Sequence, residues 1–309
     1  MEKLKKVSNS GPSRRNFLAG AGAVGAAALV AGCNGNSSNP IPTGTSGPTF
    51  PPLVFMDNDI LNFALNLEYL EAEFYLRAAT GTGLSAADAG TGAGTVTGGK
   101  MVQGLTTPVQ NYLNAVAQDE LNHVRALRAT ITGNSGTPVS RPTIDFTAAF
   151  NTLAAAATIG ASFDPFSSMQ AFLVGAFVFE DVGVTAYNGA APAITSNKIL
   201  DAAAGIAAVE AYHAAEIRTL LVGMAAQAND QTYVGYANLI SKLRATLGNG
   251  KETQLSPSSI VAADPVTAIG FSRTTDEVLH IVYGKTGAGL KSGAFFPNGL
   301  NGTIFTTTS

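Results

Sequence analysis

The chain has 309 residues, of which 13% are charged, and a net charge of −3 without a long acidic or basic run. That composition excludes a nucleic-acid binder, whose phosphate contacts need clustered Lys and Arg. A single cysteine excludes an intrachain disulfide and a thiolate metal cluster. The length suffices for one large domain or two smaller ones.

The N-terminus reads as an address. Ser13-Arg14-Arg15-Asn16-Phe17-Leu18 is a twin-arginine pattern, followed by an Ala/Gly/Val/Leu stretch to about Ala31. The stretch is too short and too weakly apolar for a spanning helix, which needs ~20 apolar residues. A charged region before a modest apolar one is a signal peptide, and the arginine pair predicts the bacterial route for folded proteins. Val30-Ala31-Gly32-Cys33 resembles a lipobox and makes Cys33, the only cysteine, the expected lipidation site and mature N-terminus. Plain cleavage after a small residue is the alternative. Residues 1–33 are therefore assigned to the signal peptide. Residues 34–55, rich in Gly, Ser, Thr, Asn and Pro, are assigned to a flexible linker.

Beyond the linker the periodicity is helical. The pattern predicts a helix over Asp57–Thr80, with Leu61, Leu65, Glu68 and Tyr75 near one face, then a Gly/Thr/Ala loop over Gly81–Leu105. A second helix is expected over Pro108–Thr132, stopping at Gly133. A connection follows through Phe163, with a short helix within Phe146–Ile159. Asp164-Pro165 predicts the next helix start, with Asp as N-cap and Pro at the first position, running to about Asn188. Thr195-Ser196-Asn197 opens a helix that passes Leu221. An amphipathic helix is expected over Asp230–Leu247, and Thr274 with Glu277 form a capping box for a short helix through Val282. Nothing beyond short pieces reads as sheet.

The two halves of this pattern repeat. Glu68 precedes Tyr75 by the same interval as Glu180 precedes Tyr187, and Glu120–His123 matches Glu210–His213. Each half is a helix with one Glu, then a helix with Glu-x-x-His. The fold expected is all-α, a four-helix bundle over residues 56–228 with one long crossover between its second and third helices. Residues 229–309 form a helical and irregular extension packed on it.

Glu and His three apart on a helix share a face. Two such helices plus a Glu from each of two others are the ligand set of carboxylate-bridged two-metal bundles. The metal ligands expected are thus Glu68, Glu120, His123, Glu180, Glu210 and His213. Four buried carboxylates would repel and are costly to desolvate, whereas two divalent cations neutralise them. Oxygen and imidazole donors suit iron or manganese, with zinc less favoured. Glu180 ends the run Ala171–Phe179, where an unpartnered charge would cost several kcal/mol. Glu71 and Glu216 are candidate extra or exchangeable ligands, or else supporting or exposed carboxylates. Tyr75 and Tyr187 either hydrogen-bond ligand carboxylates or simply pack in the core. Glu73 and Asp119 are expected to face solvent, and His280 to be structural.

Leu61-Asn62-Phe63-Ala64-Leu65-Asn66-Leu67-Glu68-Tyr69-Leu70-Glu71-Ala72-Glu73-Phe74-Tyr75 resembles the opening helix of ferritin-like domain proteins related to plant desiccation-related proteins. So do Phe163-Asp164-Pro165-Phe166, Asp181–Tyr187, Phe271–Thr274, Val278–Tyr283 and Phe295–Gly302. The likeness spans about Ile60 to Gly302. It implies a ferritin-like bundle and, by motif, the same six metal ligands. The long Gly81–Leu105 loop and the C-terminal extension argue against a storage cage. A chain with one cysteine cannot supply an appended iron–thiolate domain.

Three functions follow as expectations. The first is an exported redox protein whose di-iron or di-manganese centre handles dioxygen or peroxide, as a ferroxidase, peroxidase or manganese catalase would. The second is a protective role in desiccation or envelope stress in which metal only stabilises the fold, and the third a metal-scavenging lipoprotein. Expected partners are the twin-arginine export machinery and the membrane, through lipid on Cys33, in the periplasm or cell envelope of a bacterium. Assembly into a homo-oligomer stays open.

Overall fold

A computed structural model describes residues 56–309. The arginine pair, Cys33 and the linker lie outside them. Four long helices build the bundle: α1 (Asp57–Thr80), α3 (Thr107–Gly133), α5 (Met169–Ala190) and α6 (Asn197–Ala228). The loop after α1 carries the single turn α2 (Ala86–Ala89) and strand β1 (Val96–Thr97). The crossover, residues 134–168, carries β2 (Ile144–Asp145) and α4 (Phe146–Ala156), and β1 pairs with β2 in parallel. The extension carries α7 (Thr232–Leu247) and α8 (Thr275–Tyr283). Helix α1 packs chiefly on α3, and α5 chiefly on α6.

Helix ends follow local chemistry. Gly81, at φ 79°, closes α1 with its N–H on the Arg77 carbonyl, a left-handed position that glycine takes without penalty. Pro108 stands in the first turn of α3, where its missing N–H costs nothing. Ser196 caps α6 at Ile199, and Thr274 and Glu277 form the expected capping box of α8. The start of α5 differs from expectation. Asp164 accepts the Phe166 N–H at 2.9 Å, two residues on, and closes a local turn instead of capping a helix. Ser168 is the N-cap, accepting from Ala171 N, so α5 begins at Met169.

The core around Phe74 is aromatic. Phe74 sits at its middle, with ring centroids of Phe166, Phe179 and Phe172 at 5.1, 5.2 and 5.6 Å. Phe295 of the extension meets Phe179 at 5.0 Å and Phe150 at 5.2 Å. The tail is also tied to α1: Asn66 donates to the Asn301 carbonyl at 2.8 Å and accepts the Asn301 N–H at 3.0 Å.

A buried ion network joins the extension to α5 and α6. Asp181 accepts from Arg218 and Arg244 at 2.8 Å each, and Glu252 from Arg244 at 2.8 Å and Arg273 at 2.7 Å. Arg218, Arg244 and Arg273 are each 1% exposed. Burying charges is tolerable only when paired and hydrogen-bonded, and these acids meet that condition. Sequence periodicity gave no warning of this network, because its members are spread from Asp181 to Arg273.

Candidate metal centre

Glu68 on α1, Glu120 and His123 on α3, Glu180 on α5, and Glu210 and His213 on α6 converge in the bundle centre. All six are buried; the carboxylates are 0–1% exposed, His123 8% and His213 5%. Their donor atoms form two overlapping sets, each mutually within 4.8 Å. One is Glu68, Glu120, His123 and Glu210; the other is Glu120, Glu180, Glu210 and His213. Glu120 and Glu210 belong to both. The arrangement could therefore offer two cation positions, one through Glu68 and His123 and one through Glu180 and His213, with the two Glu-x-x-His carboxylates common to both sets.

Both imidazoles aim Nδ1 inward. His123 Nδ1 lies 3.2 Å from Glu68 Oε2, 3.4 Å from Glu120 Oε2 and 3.3 Å from Glu210 Oε1. His213 Nδ1 lies 3.1 Å from Glu120 Oε1 and 3.6 Å from Glu180 Oε2. None of these pairs is aligned as a hydrogen bond. Glu68 Oε2, both oxygens of Glu120 and Glu210, Glu180 Oε2 and both Nδ1 atoms are buried without a hydrogen-bond partner. Such orphans are rare in folded proteins and call for an explanation, an ion among them.

The outward oxygens are held across the halves. Tyr187 on α5 donates to Glu68 Oε1 at 2.5 Å, and Tyr75 on α1 donates to Glu180 Oε1. Each tyrosine thus fixes the single Glu of the other half and leaves its Oε2 facing the centre.

Electrostatics at the centre show the charge problem. Burial, with Glu68 beside it, pushes Glu120 up to about 7. Burial and the neighbouring Glu120 and Glu68 push Glu210 well up. For His213, burial opposes protonation, but the Glu180 and Glu120 carboxylates override it and push the ring up to about 11. His123 is raised likewise, burial being outweighed by Glu120, Glu210 and Glu68. Without a cation the cluster must hold protons; two divalent ions would balance four carboxylates and leave both rings neutral.

The remaining expectations divide. Glu71 is buried one turn beyond Glu68 and faces the four ligand carboxylates; burial and Glu210 drive its carboxyl well up. It also lines a small, mostly apolar cavity of ≈ 20 Å³ with Val178, Val182 and Ile281, on the α1–α5 side. Glu216 is exposed on α6. Glu73 is not solvated: it is fully buried, salt-bridged to Arg77 at 2.8 Å and to Arg141 of the crossover, and accepts the Leu84 N–H at 3.2 Å. Asp119 is half-exposed, but it reaches across to α6, with Oδ2 3.3 Å from His213 Nε2. Both departures have one cause, that the covering partner comes from a segment remote in sequence. His280 is buried in α8, its Nε2 3.3 Å from the Gly287 backbone.

Gly183 was not singled out by sequence, although it occupies the place in α5 that Glu71 holds in α1. A Cβ there would lie 2.3 Å from Glu210 Oε2 and 3.5 Å from Glu71 Oε1. Only glycine leaves the shared carboxylate its place.

A four-helix bundle with one long crossover and a central Glu/His cluster defines a ferritin-like protein. Residues 56–223 match the ferritin-like domain family, and residues 11–31 match the twin-arginine translocation pathway signal sequence. The chain belongs to the ferritin-like domain family and carries a signal for export. It is 29% identical over 290 residues to the ferritin-like catalase Nec2 of Nesocodon mauritianus, covering 84% of this chain and 90% of that one. It is 31% identical over 245 residues to the desiccation-related protein PCC13-62 of Craterostigma plantagineum, covering 72% and 76%.

Proposed function

We propose that the chain is an exported two-metal protein, with iron or manganese held by Glu68, Glu120, His123, Glu180, Glu210 and His213, acting on peroxide or dioxygen. The observation that carries this reading is the set of inward, buried carboxylate oxygens and Nδ1 atoms without hydrogen-bond partners. Oxygen and imidazole donors fit those metals, and the donor count fits the two-metal carboxylate bundles. Such a pair supplies the change of oxidation state that peroxide or dioxygen turnover requires. The protein's own part is positional. Tyr75 and Tyr187 fix the single carboxylates, Glu120 and Glu210 would serve both positions, and the Phe74 cluster with α8 keeps the α1–α5 side apolar. The likeness to a ferritin-like catalase supports peroxide as substrate.

The likeness to a desiccation-related protein supports the second reading, protection with metal as a structural part. Metal analysis of protein from its own host, paired with a peroxide-turnover assay, separates the two. Two metals with turnover support the first reading, and two without turnover the second. A chain purified without metal that takes up none refutes both. The anchored form belongs to the same proposal, in which Cys33 bears lipid and holds the protein in the cell envelope behind the 34–55 tether. Mass spectrometry of the membrane fraction should find an acylated N-terminal Cys33.

A further inference from the structure

Besides Glu71 against Gly183, the repeat that builds the centre is broken at one further point, beside an imidazole. On α3 the motif is Asp119-Glu120-x-x-His123; on α6 it is Val209-Glu210-x-x-His213. Asp119 Oδ2 stands 3.3 Å from Nε2 of His213, on the opposite helix. Val209, at the matching place on α6, has no polar side-chain atom to offer His123. Among the described residues none hydrogen-bonds His123 Nε2, and the His123 side chain is 10% exposed. The other supports are even-handed. Tyr187 and Tyr75 serve Glu68 and Glu180 alike, Glu120 and Glu210 belong to both donor sets, and Glu71 faces the carboxylates of both halves.

Resting on the two-metal reading, we infer that the two positions are unequal by construction: the His213 position is the tight one and the His123 position the exchangeable one. The reason lies in the imidazole. A neutral ring must carry its proton on Nε2 for Nδ1 to offer a lone pair to a metal. A carboxylate on Nε2–H fixes that tautomer, holds the ring plane and strengthens Nδ1 as a donor; losing such a partner typically costs about 10–100-fold in metal affinity. His213 has the carboxylate and His123 does not. Asp119 is thus a positioning residue for one metal, and Val209 marks where the other lacks one.

The test is a calorimetric titration of the metal-free mature chain with Mn(II), with bound Mn(II) counted by electron paramagnetic resonance. The wild-type chain should take two equivalents in two steps at least about tenfold apart. Asp119→Ala should weaken the tight step about tenfold or more, bringing the two steps together, and Asp119→Asn should restore part of the loss. Val209→Asp should strengthen the weak step and leave the tight one in place. His123→Ala should keep the tight step, and His213→Ala only the weak one. Because Asp119 is half-exposed, metal-free thermal unfolding should not move in its variants, which separates positioning from folding. Two equal steps in the wild type, or an Asp119→Ala that weakens both or neither, overturns the inference while the two-metal reading stands. A chain that binds no Mn(II) or Fe(II) overturns both.

Discussion

Gly183→Ala puts the geometry of the shared carboxylate to a quantitative test. The new Cβ would sit 2.3 Å from Glu210 Oε2, whereas ordinary contact begins near 3.4 Å, so the carboxylate end must retreat by about 1 Å. That is cheap for the fold, because the atom displaced is the free end of a side chain. Alanine also gains up to about 1 kcal/mol over glycine inside a helix. Metal-free stability should therefore hold or rise slightly. A metal held there would have no such slack, since ligand distances tolerate only about 0.2 Å. A tenfold loss of affinity, at a free metal concentration of 100 times the wild-type Kd, cuts the metal-linked stabilisation from about 2.7 to about 1.4 kcal/mol. For a domain of this size that difference is roughly 3–5 °C in Tm. Thermal unfolding with and without Mn(II) reads it directly. A variant that keeps the full metal-linked gain would show that Glu210 is not a ligand, or that Gly183 does not set its place.

Three further outcomes follow from other parts of the chain. Glu73→Ala should lower stability by about 3–5 kcal/mol, because it leaves Arg141 without its acid in a closed setting, yet leave the metal count at two; unchanged denaturant midpoints would refute the pairing. Glu180→Gln keeps the Tyr75 contact and removes one buried charge, so metal affinity should fall while metal-free stability holds or rises, and full two-metal occupancy by elemental analysis would take Glu180 out of the ligand set. Replacing Arg14 and Arg15 with Lys should block export, read by cell fractionation; unchanged export would show that another route is used.

How much of this was legible in sequence depends on the distance over which each contact acts. Helix α1 could be bounded at Asp57 and Thr80 because Gly81 and the apolar period are local signals. The convergence of Glu68, Glu180 and the two Glu-x-x-His pairs was legible because the repeat states it twice. Glu73 was misread because periodicity assigns one buried face to a helix, whereas α1 is covered on further sides, by Arg141 of the crossover and by the tail at Asn301. Asp119 is half-exposed, as expected, but its contact with His213 could not be read from periodicity, because the two lie 94 residues apart. The start of α5 was misplaced because Asp-Pro fits a turn as well as a cap, and only the packing around Phe166 decides between them.

Helix α5 shows why the C-terminal extension matters to the centre. Glu180 and Asp181 are adjacent, so the helix must turn one acid to the central Glu/His cluster and the other away from it. Asp181 meets Arg218 of α6 and Arg244 of α7, and Arg244 also donates to the Phe177 carbonyl. Without α7 the buried acid would keep Arg218 but lose Arg244, one of its two cations, and α5 would lose its tie to the extension through the Phe177 carbonyl. Further along, a Cβ at Gly189 would lie 1.8 Å from the Arg273 carbonyl oxygen. Glycine there lets the extension lie directly on α5, with Arg273 N–H on the Thr185 carbonyl at 2.9 Å and its guanidinium on Thr185 Oγ1 at 2.7 Å. Glycine costs up to about 1 kcal/mol in a helix interior, and two of the three in α5 stand where another group approaches closely on this side, Gly183 under Glu210 and Gly189 under the extension. The extension thereby fixes the rotation of α5 about its axis. That rotation keeps Glu180 aimed at the centre and Gly183 under Glu210, so residues 229–309 act on the site without contributing a ligand to it.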